Sequence, residues 1–154
     1  MSAPVAAIDV GTNTVLLLVA RAGTGGALEV VEEIGAMPRL GSGLAARGSI
    51  DPAAAERVLD ALRGFAQRIE AHAIPAARVR AVGTAGLRRA RDGVEFASRV
   101  AGETGLALEI ISEEEEARLG AIAIAAEGAG ADALVVDVGG GSSEVACEAL
   151  GLRR

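Results

Sequence analysis

Two short segments near the ends of the chain have nearly the same sequence, and they constrain the fold more than any other feature. They run from Ile8 to Thr14 and from Val136 to Ser142, 128 residues apart. Each has an apolar run, an Asp, a turn rich in Gly and hydroxyl residues, and then residues that favour another strand. The repeat therefore predicts two β-hairpins with similar loops, one near each end of the chain.

Composition excludes several classes of partner. The 154 residues are enough for one ordinary domain, and the net charge is −6. Duplex nucleic acid is bound mainly by basic side chains that neutralise phosphates, so an acidic chain is a poor candidate. The two Phe residues are the only aromatic residues, which argues against a stacking platform for single strands. We expect no nucleic-acid partner.

Cysteine usage and hydropathy indicate a cytoplasmic protein without a membrane partner. Cys147 is the only cysteine, so the chain can form no internal disulfide. No apolar run reaches the length of a membrane-spanning helix. The N-terminus lacks the basic region and apolar core of a secretory signal.

The order of predicted elements indicates an α/β fold. Three strands in meander order come first, and helices then alternate with two further strands before the second hairpin. The predicted strands are 5–9, 15–20, 28–34, 78–83, 106–111, 133–137 and 143–148, the predicted helices are 53–71, 92–103 and 112–126, and 38–49 is predicted as a loop. This order predicts a mixed sheet with helices on its faces.

Two helix starts have clear signals. Ser49 or Asp51 can cap the first long helix, because Pro52 fits its first turn. Ser112, with Glu115 three residues later, fits a capping box at the start of the last helix.

The two Gly-rich loops are suited to phosphate, although they are not dinucleotide loops. A dinucleotide loop opens a helix, whereas both loops here are followed by strand-forming residues. Glycine lets backbone N–H groups converge on an anion, and hydroxyl groups add donors. Asp9 and Asp137 at the strand ends could hold Mg²⁺, which needs only one or two protein carboxylates plus phosphate oxygens. The alternative is that each loop is simply a tight turn.

Two other groups of charged residues have both a structural and a functional interpretation. The acids Glu113 to Glu116 begin a predicted helix, where they interact favourably with the helix dipole, and any one of them could also be catalytic. An Arg within residues 83 to 89 could hold a phosphate, although a solvent-exposed Arg is the commoner case. His72 is expected near a helix end and Cys147 packed on a strand, and neither is given a chemical role.

Five segments in order resemble the bacterial exopolyphosphatase and guanosine-pentaphosphate phosphohydrolase (Ppx/GppA) family. The segments are Asp9 to Thr14, Arg39 to Leu44, Val82 to Arg88, Ile111 to Arg118, and Asp137 to Glu144. The resemblance implies a ribonuclease-H-like lobe of the actin-like ATPase type, with a mixed five-stranded sheet and the opening β-hairpin of a second lobe. The implied boundaries are 1–126 for the first lobe and 127–154 for the start of a truncated second lobe.

The resemblance also implies roles for individual residues. Glu116 would be the general base that activates the attacking water. The implied phosphate-binding residues are Gly11, Thr12, Asn13, Thr14, Arg88, Gly139, Gly140, Gly141 and Ser142. The implied ligands of Mg²⁺, or of another divalent cation, are Asp9, Asp137 and Glu144.

The activity implied by the resemblance is release of orthophosphate from the end of inorganic polyphosphate or from guanosine pentaphosphate. One alternative is a catalytically incomplete lobe with a phosphate-binding or regulatory role. Another is a kinase-like member of the wider superfamily. Because the resemblance implies a second lobe that the chain does not complete, the sequence predicts a fragment, a truncated product, or a chain that must form a homodimer.

Overall fold

The computed structural model describes residues 2–24, 27–128, 130, 133–147 and 152–153, apart from the side chains of 144, 152 and 153. The strands are β1 Val5–Val10, β2 Val15–Ala22, β3 Leu28–Ala36, β4 Val79–Gly83, β5 Leu108–Ile110, β6 Val135–Val138, β7 Ser143–Cys147 and β8 Leu152–Arg153. The helices are α1 Leu44–Arg47, α2 Pro52–Ala71, α3 Ala85–Arg89, α4 Gly93–Thr104 and α5 Glu113–Ala126.

The larger sheet is mixed and has five strands. Its order is β3-β2-β1-β4-β5, with antiparallel pairs among the first three strands and parallel pairs from β1 to β4 and from β4 to β5. The first three strands are joined by short turns, which make neighbours antiparallel, whereas helical crossovers make β1, β4 and β5 parallel. Strands β6, β7 and β8 form a separate antiparallel sheet. The predicted α/β fold with a mixed five-stranded sheet and a second hairpin is confirmed.

The core lies between one face of the large sheet and helices α2 and α4. Alternate residues of β1 are buried, which places Ile8 and Val10 on the core face and Asp9 on the opposite face. Helix α2 contributes an apolar stripe that includes Val58 and Leu62, both fully buried. Helix α5 differs, because Ala117 is the one fully buried residue identified along it.

The predicted helix starts are largely confirmed. Asp51 is the cap of α2, where its carboxylate accepts a hydrogen bond of 3.1 Å from the N–H of Ala54. Ser112 caps α5 by accepting a hydrogen bond of 3.2 Å from the N–H of Glu115. Only the Ser112 half of the predicted capping box forms. The Glu115 carboxylate, which would make the other half, binds Arg118 and Arg80 instead.

Two short helices were not predicted. Helix α1 lies in the predicted loop 38–49 and is bounded by Gly43 and Gly48, which both have left-handed backbone angles. Helix α3 follows β4 directly. Elements of four or five residues are shorter than two helical turns, so they show no periodicity that could reveal them.

The helices of the described part show no segment that is both long enough and apolar enough to cross a lipid bilayer.

Two glycines of α4 should respond oppositely to replacement by Ala. A Cβ on buried Gly93 would collide with the carbonyl oxygen of Leu87, whereas nothing lies within 4 Å of a Cβ on exposed Gly102. We expect Gly93→Ala to lower the free energy of unfolding by about 1–3 kcal/mol. Gly102→Ala should raise it by about 0.5–1 kcal/mol, because Ala loses less backbone entropy in a helix. Urea denaturation of both variants checks this, and equal effects would contradict the predicted collision.

Candidate active site

The topology brings several loops to one edge of the large sheet. Strands β1, β4 and β5 are parallel, so their carboxyl ends lie at the same edge. The N–H of Thr84 donates to the carbonyl of Val10 at 3.2 Å, and the N–H of Ile111 donates to that of Gly83 at 3.0 Å. These bonds tie the residues that follow β4 and β5 to the neighbouring strand. Open α/β sheets bind ligands at this kind of edge.

The first Gly-rich loop, residues 11–14, is the turn between β1 and β2. It is closed by a hydrogen bond of 2.9 Å from the N–H of Gly11 to the carbonyl of Thr14. Asp9 lies in β1, two residues before this loop.

The second Gly-rich loop, residues 139–142, has the same closure between β6 and β7. The N–H of Gly139 donates to the carbonyl of Ser142, again at 2.9 Å. Asp137 lies two residues before this loop, and it pairs with Glu144 in the strand register. The sequence repeat therefore corresponds to a repeat of local geometry.

The two loops face each other at close range. A Cβ on Gly140 would collide with the side-chain amide of Asn13, and a Cβ on Gly141 would collide with the hydroxyl of Thr12. A side chain at either glycine would therefore require the Asn13 or Thr12 side chain to move. The glycines therefore allow the two loops to approach each other closely, in addition to forming the turns.

Both loops line one cavity of about 630 Å³. The cavity brings together most of the predicted site residues. They are Asp9, Gly11, Thr12, Asn13, Thr14, Glu116, Asp137, Gly139, Gly140, Gly141 and Ser142. Arg88 is not among the lining residues, and the side chain of Glu144 lies outside the described part of the chain.

Asp9 is an acid of the cavity with a strongly raised pKa. Burial first, and then the negative charges of Glu116 and Asp137, together raise its pKa from 3.8 to about 6. Within the described residues, its buried Oδ1 atom has no hydrogen-bond partner. A buried carboxylate oxygen without a partner suits a cation or an ordered water.

Glu116 lies in the first turn of α5 and forms an ion pair with Arg88. Nη1 of Arg88 lies 3.0 Å from Oε2 of Glu116 and donates a second bond of 2.9 Å to the carbonyl of Ile111. Both side chains are largely buried, with 21% of Arg88 and 18% of Glu116 exposed. Arg88 therefore fixes the position of Glu116 relative to the end of β5.

The four acids at the start of α5 have different surroundings. Glu113 is 66% exposed and lies 3.5 Å from Arg88. Hydrogen bonds from Arg118 and then Arg80 lower the pKa of Glu115 to about 2. Only Glu116 of the four lines the cavity.

Four further residues line the cavity, and none of them was predicted to belong to the site. They are Met37, Arg39, Thr84 and Val138. Arg39 belongs to one of the five segments that carry the family resemblance, so it could have been suspected. Thr84 is 8% exposed and follows β4 directly, and no local pattern distinguishes it from other threonines.

The residues present fit a divalent cation held with help from a phosphate ligand. The described residues contain no group of three acidic, His or Cys side chains that could bind a metal by themselves. Magnesium typically takes only one or two protein carboxylates and completes its shell with water and substrate phosphates. Asp9 and Asp137, with the unpartnered oxygen of Asp9, meet that requirement.

Comparison with known families identifies the chain. The model of the Ppx/GppA phosphatase family matches residues 18–149. The chain belongs to the Ppx/GppA phosphatase family. The match includes Arg39, Glu116 and the second Gly-rich loop, and it begins just after the first loop.

Solved Ppx/GppA structures have the same fold. A family member from Aquifex aeolicus is 34% identical with a TM-score of 0.81, over 92% of this chain and 46% of its own length. An exopolyphosphatase from Cytophaga hutchinsonii is 27% identical with a TM-score of 0.83, over 94% of this chain and 47% of its own length. This Ppx/GppA chain therefore spans about half the length of these relatives.

A more distant structure supports the fold class alone. The ethanolamine utilization protein EutJ from Carboxydothermus hydrogenoformans is 18% identical with a TM-score of 0.50, over 98% of this chain and 49% of its own length. Together with the Ppx/GppA structures, it confirms the predicted lobe of the actin-like ATPase type.

Proposed function

We propose that this chain binds the end of a phosphate chain and contributes to hydrolysis of its terminal phosphoanhydride bond. The substrate would be inorganic polyphosphate or guanosine pentaphosphate. The observation that supports this most is the shared cavity, in which two Gly-rich loops and three carboxylates meet. Membership of the Ppx/GppA phosphatase family supports the same reaction class.

The two loops would hold the terminal phosphate. Their glycines allow backbone N–H groups to approach an anion, and Thr12, Asn13, Thr14 and Ser142 add side-chain donors. Because the loops face each other, a phosphate between them would be contacted from both sides.

Glu116 would act as the general base. It would accept a proton from a water whose oxygen attacks the terminal phosphorus, while the bridging P–O bond breaks and leaves its electron pair on the shortened chain. Arg88 is a positioning residue in this scheme, because it holds Glu116 and the carbonyl of Ile111 rather than lining the cavity.

Mg²⁺ or another divalent cation would be held by Asp9 and Asp137, with Glu144 as a further proposed ligand. When bound, the cation would neutralise charge on the phosphate oxygens. Asp9 would be deprotonated to bind it, which favours activity above the raised pKa of about 6.

The proposed boundaries of the lobes are 1–126 and 127–154. A catalytically incomplete lobe that binds phosphate is the alternative function, since the solved relatives are about twice as long as the matched region. Homodimer formation would be one way to complete the cleft.

Orthophosphate release tests this proposal. We expect release from long-chain polyphosphate or guanosine pentaphosphate that depends on added Mg²⁺, and much slower release from ATP. Binding of polyphosphate without release would support the incomplete lobe. Protection of the chain from proteolysis by ATP, but not by polyphosphate, would favour the kinase-like alternative and contradict the proposal.

A further inference from the structure

Arg39 has an unfavourable backbone conformation at the edge of the cavity. Its φ angle is 56°, and Arg39 and Ala73 are the two non-glycine residues with positive φ in the described ranges. A left-handed conformation is unfavourable for a residue with a side chain, and such strain persists where surrounding contacts impose it. It often occurs at binding sites.

Contacts with the first Gly-rich loop impose this conformation. The N–H of Arg39 donates to the carbonyl of Asn13 at 2.9 Å, and the N–H of Gly41 donates to that of Thr12 at 2.7 Å. Gly41 also packs against the Thr12 side chain so closely that a Cβ there would collide with it. The segment that carries Arg39 is therefore fixed to the loop proposed to hold phosphate.

The Arg39 side chain is exposed and lines the cavity. Among the described residues, its guanidinium has no ion pair within 4.0 Å and makes no hydrogen bond. Other arginines near the site are engaged, since Arg88 binds Glu116 and Arg80 binds Glu115. Within the described part of the chain, Arg39 is the one basic residue that lines the cavity, and three acids line it as well.

We infer that Arg39 binds a second phosphate group of a phosphate chain while the two loops hold the terminal one. A guanidinium can contact phosphate oxygens through two parallel hydrogen bonds. Arg39 would thereby select oligophosphates over orthophosphate. This inference rests on the proposed function and assigns a specificity residue to the same cavity.

The test measures binding by the 154-residue chain in the presence of Mg²⁺. Isothermal titration with tripolyphosphate and with orthophosphate is applied to the wild type, Arg39→Gly, Arg39→Lys and Arg89→Ala. Glycine adopts the left-handed conformation without strain, so Arg39→Gly removes the guanidinium and is expected to keep the thermal midpoint or raise it. Arg89 is exposed and outside the cavity lining, which makes it a matched control.

We expect Arg39→Gly to weaken tripolyphosphate binding about tenfold and orthophosphate binding less than about twofold. Arg39→Lys should give an intermediate loss, and Arg89→Ala should bind both anions like the wild type. Unchanged tripolyphosphate binding by Arg39→Gly, or equal loss for both anions, would overturn the role of Arg39 while leaving the proposed function intact. A wild-type chain that binds neither anion would overturn the proposed function and this inference with it.

Discussion

Replacement of Glu116 by Gln is expected to lower Mg²⁺-dependent orthophosphate release by at least about 100-fold, the usual contribution of a general base. Gln has nearly the same shape and can still accept the hydrogen bond from Nη1 of Arg88, but it cannot take a proton from water. Polyphosphate binding should therefore change by less than about twofold. Stopped assays of phosphate release, combined with isothermal titration, check both parts.

Glu113→Gln is the matched control for this experiment. Glu113 also pairs with Arg88, at 3.5 Å, but it is 66% exposed and does not line the cavity. Its loss should leave release within about twofold, because an exposed ion pair contributes little. Equal losses in the two variants would mean that the charge around Arg88 matters, rather than a base at Glu116.

Replacement of Asp9 by Asn is expected to stabilise the metal-free chain at pH 8, although it removes activity. Burial and two nearby acids raise the pKa of Asp9 from 3.8 to about 6, so the folded chain binds this proton more tightly than the unfolded chain. Stability from this group is therefore present below pH 3.8 and is lost as pH rises to about 6. At pH 8 the charged form costs about 3 kcal/mol relative to the protonated form, a cost that Asn avoids.

The same substitution should remove the stabilising effect of Mg²⁺. A cation that binds only the folded chain raises its thermal midpoint, and we expect this rise for the wild type and little or none for Asp9→Asn. Thermal melts at pH 5 and pH 8, with and without Mg²⁺, give both readouts. Asp60→Asn is the control, because Asp60 is 73% exposed. A less stable Asp9→Asn chain at pH 8, or an equal Mg²⁺ effect in both chains, would contradict the prediction.

The parts of the fold that depend on local sequence could be predicted. The apolar and β-branched runs 5–9 and 15–20, joined by a Gly-rich turn, indicate a hairpin, and Ile8 and Leu17 on its two strands are buried. Asp51 followed by Pro52 indicates the start of α2 within one residue. The two Gly-rich loops could be recognised because the same short pattern occurs twice, and their shared hydrogen bond follows from that pattern.

The parts that depend on distant contacts could not be predicted. The structure pairs Arg88 with Glu116, 28 residues away, because the end of β5 brings the two together, and no local pattern indicates this pair. The predicted contact of Arg88 with phosphate stays a prediction. The raised pKa of Asp9 depends on burial and on acids from two other elements. The strain at Arg39 arises from bonds to Asn13, which no periodicity or composition reveals.

The bond between Arg88 and Glu116 makes the position of the Glu116 carboxylate depend on Arg88 and not on helix α5 alone. The same guanidinium nitrogen binds the carbonyl of Ile111, which is anchored to Gly83 of β4. These contacts hold the Glu116 carboxylate in place relative to the large sheet. The outer part of α5, which is exposed from Ile122 onward, therefore has little influence on the position of that carboxylate. We therefore expect substitutions along that outer part to change the position of the Glu116 carboxylate little.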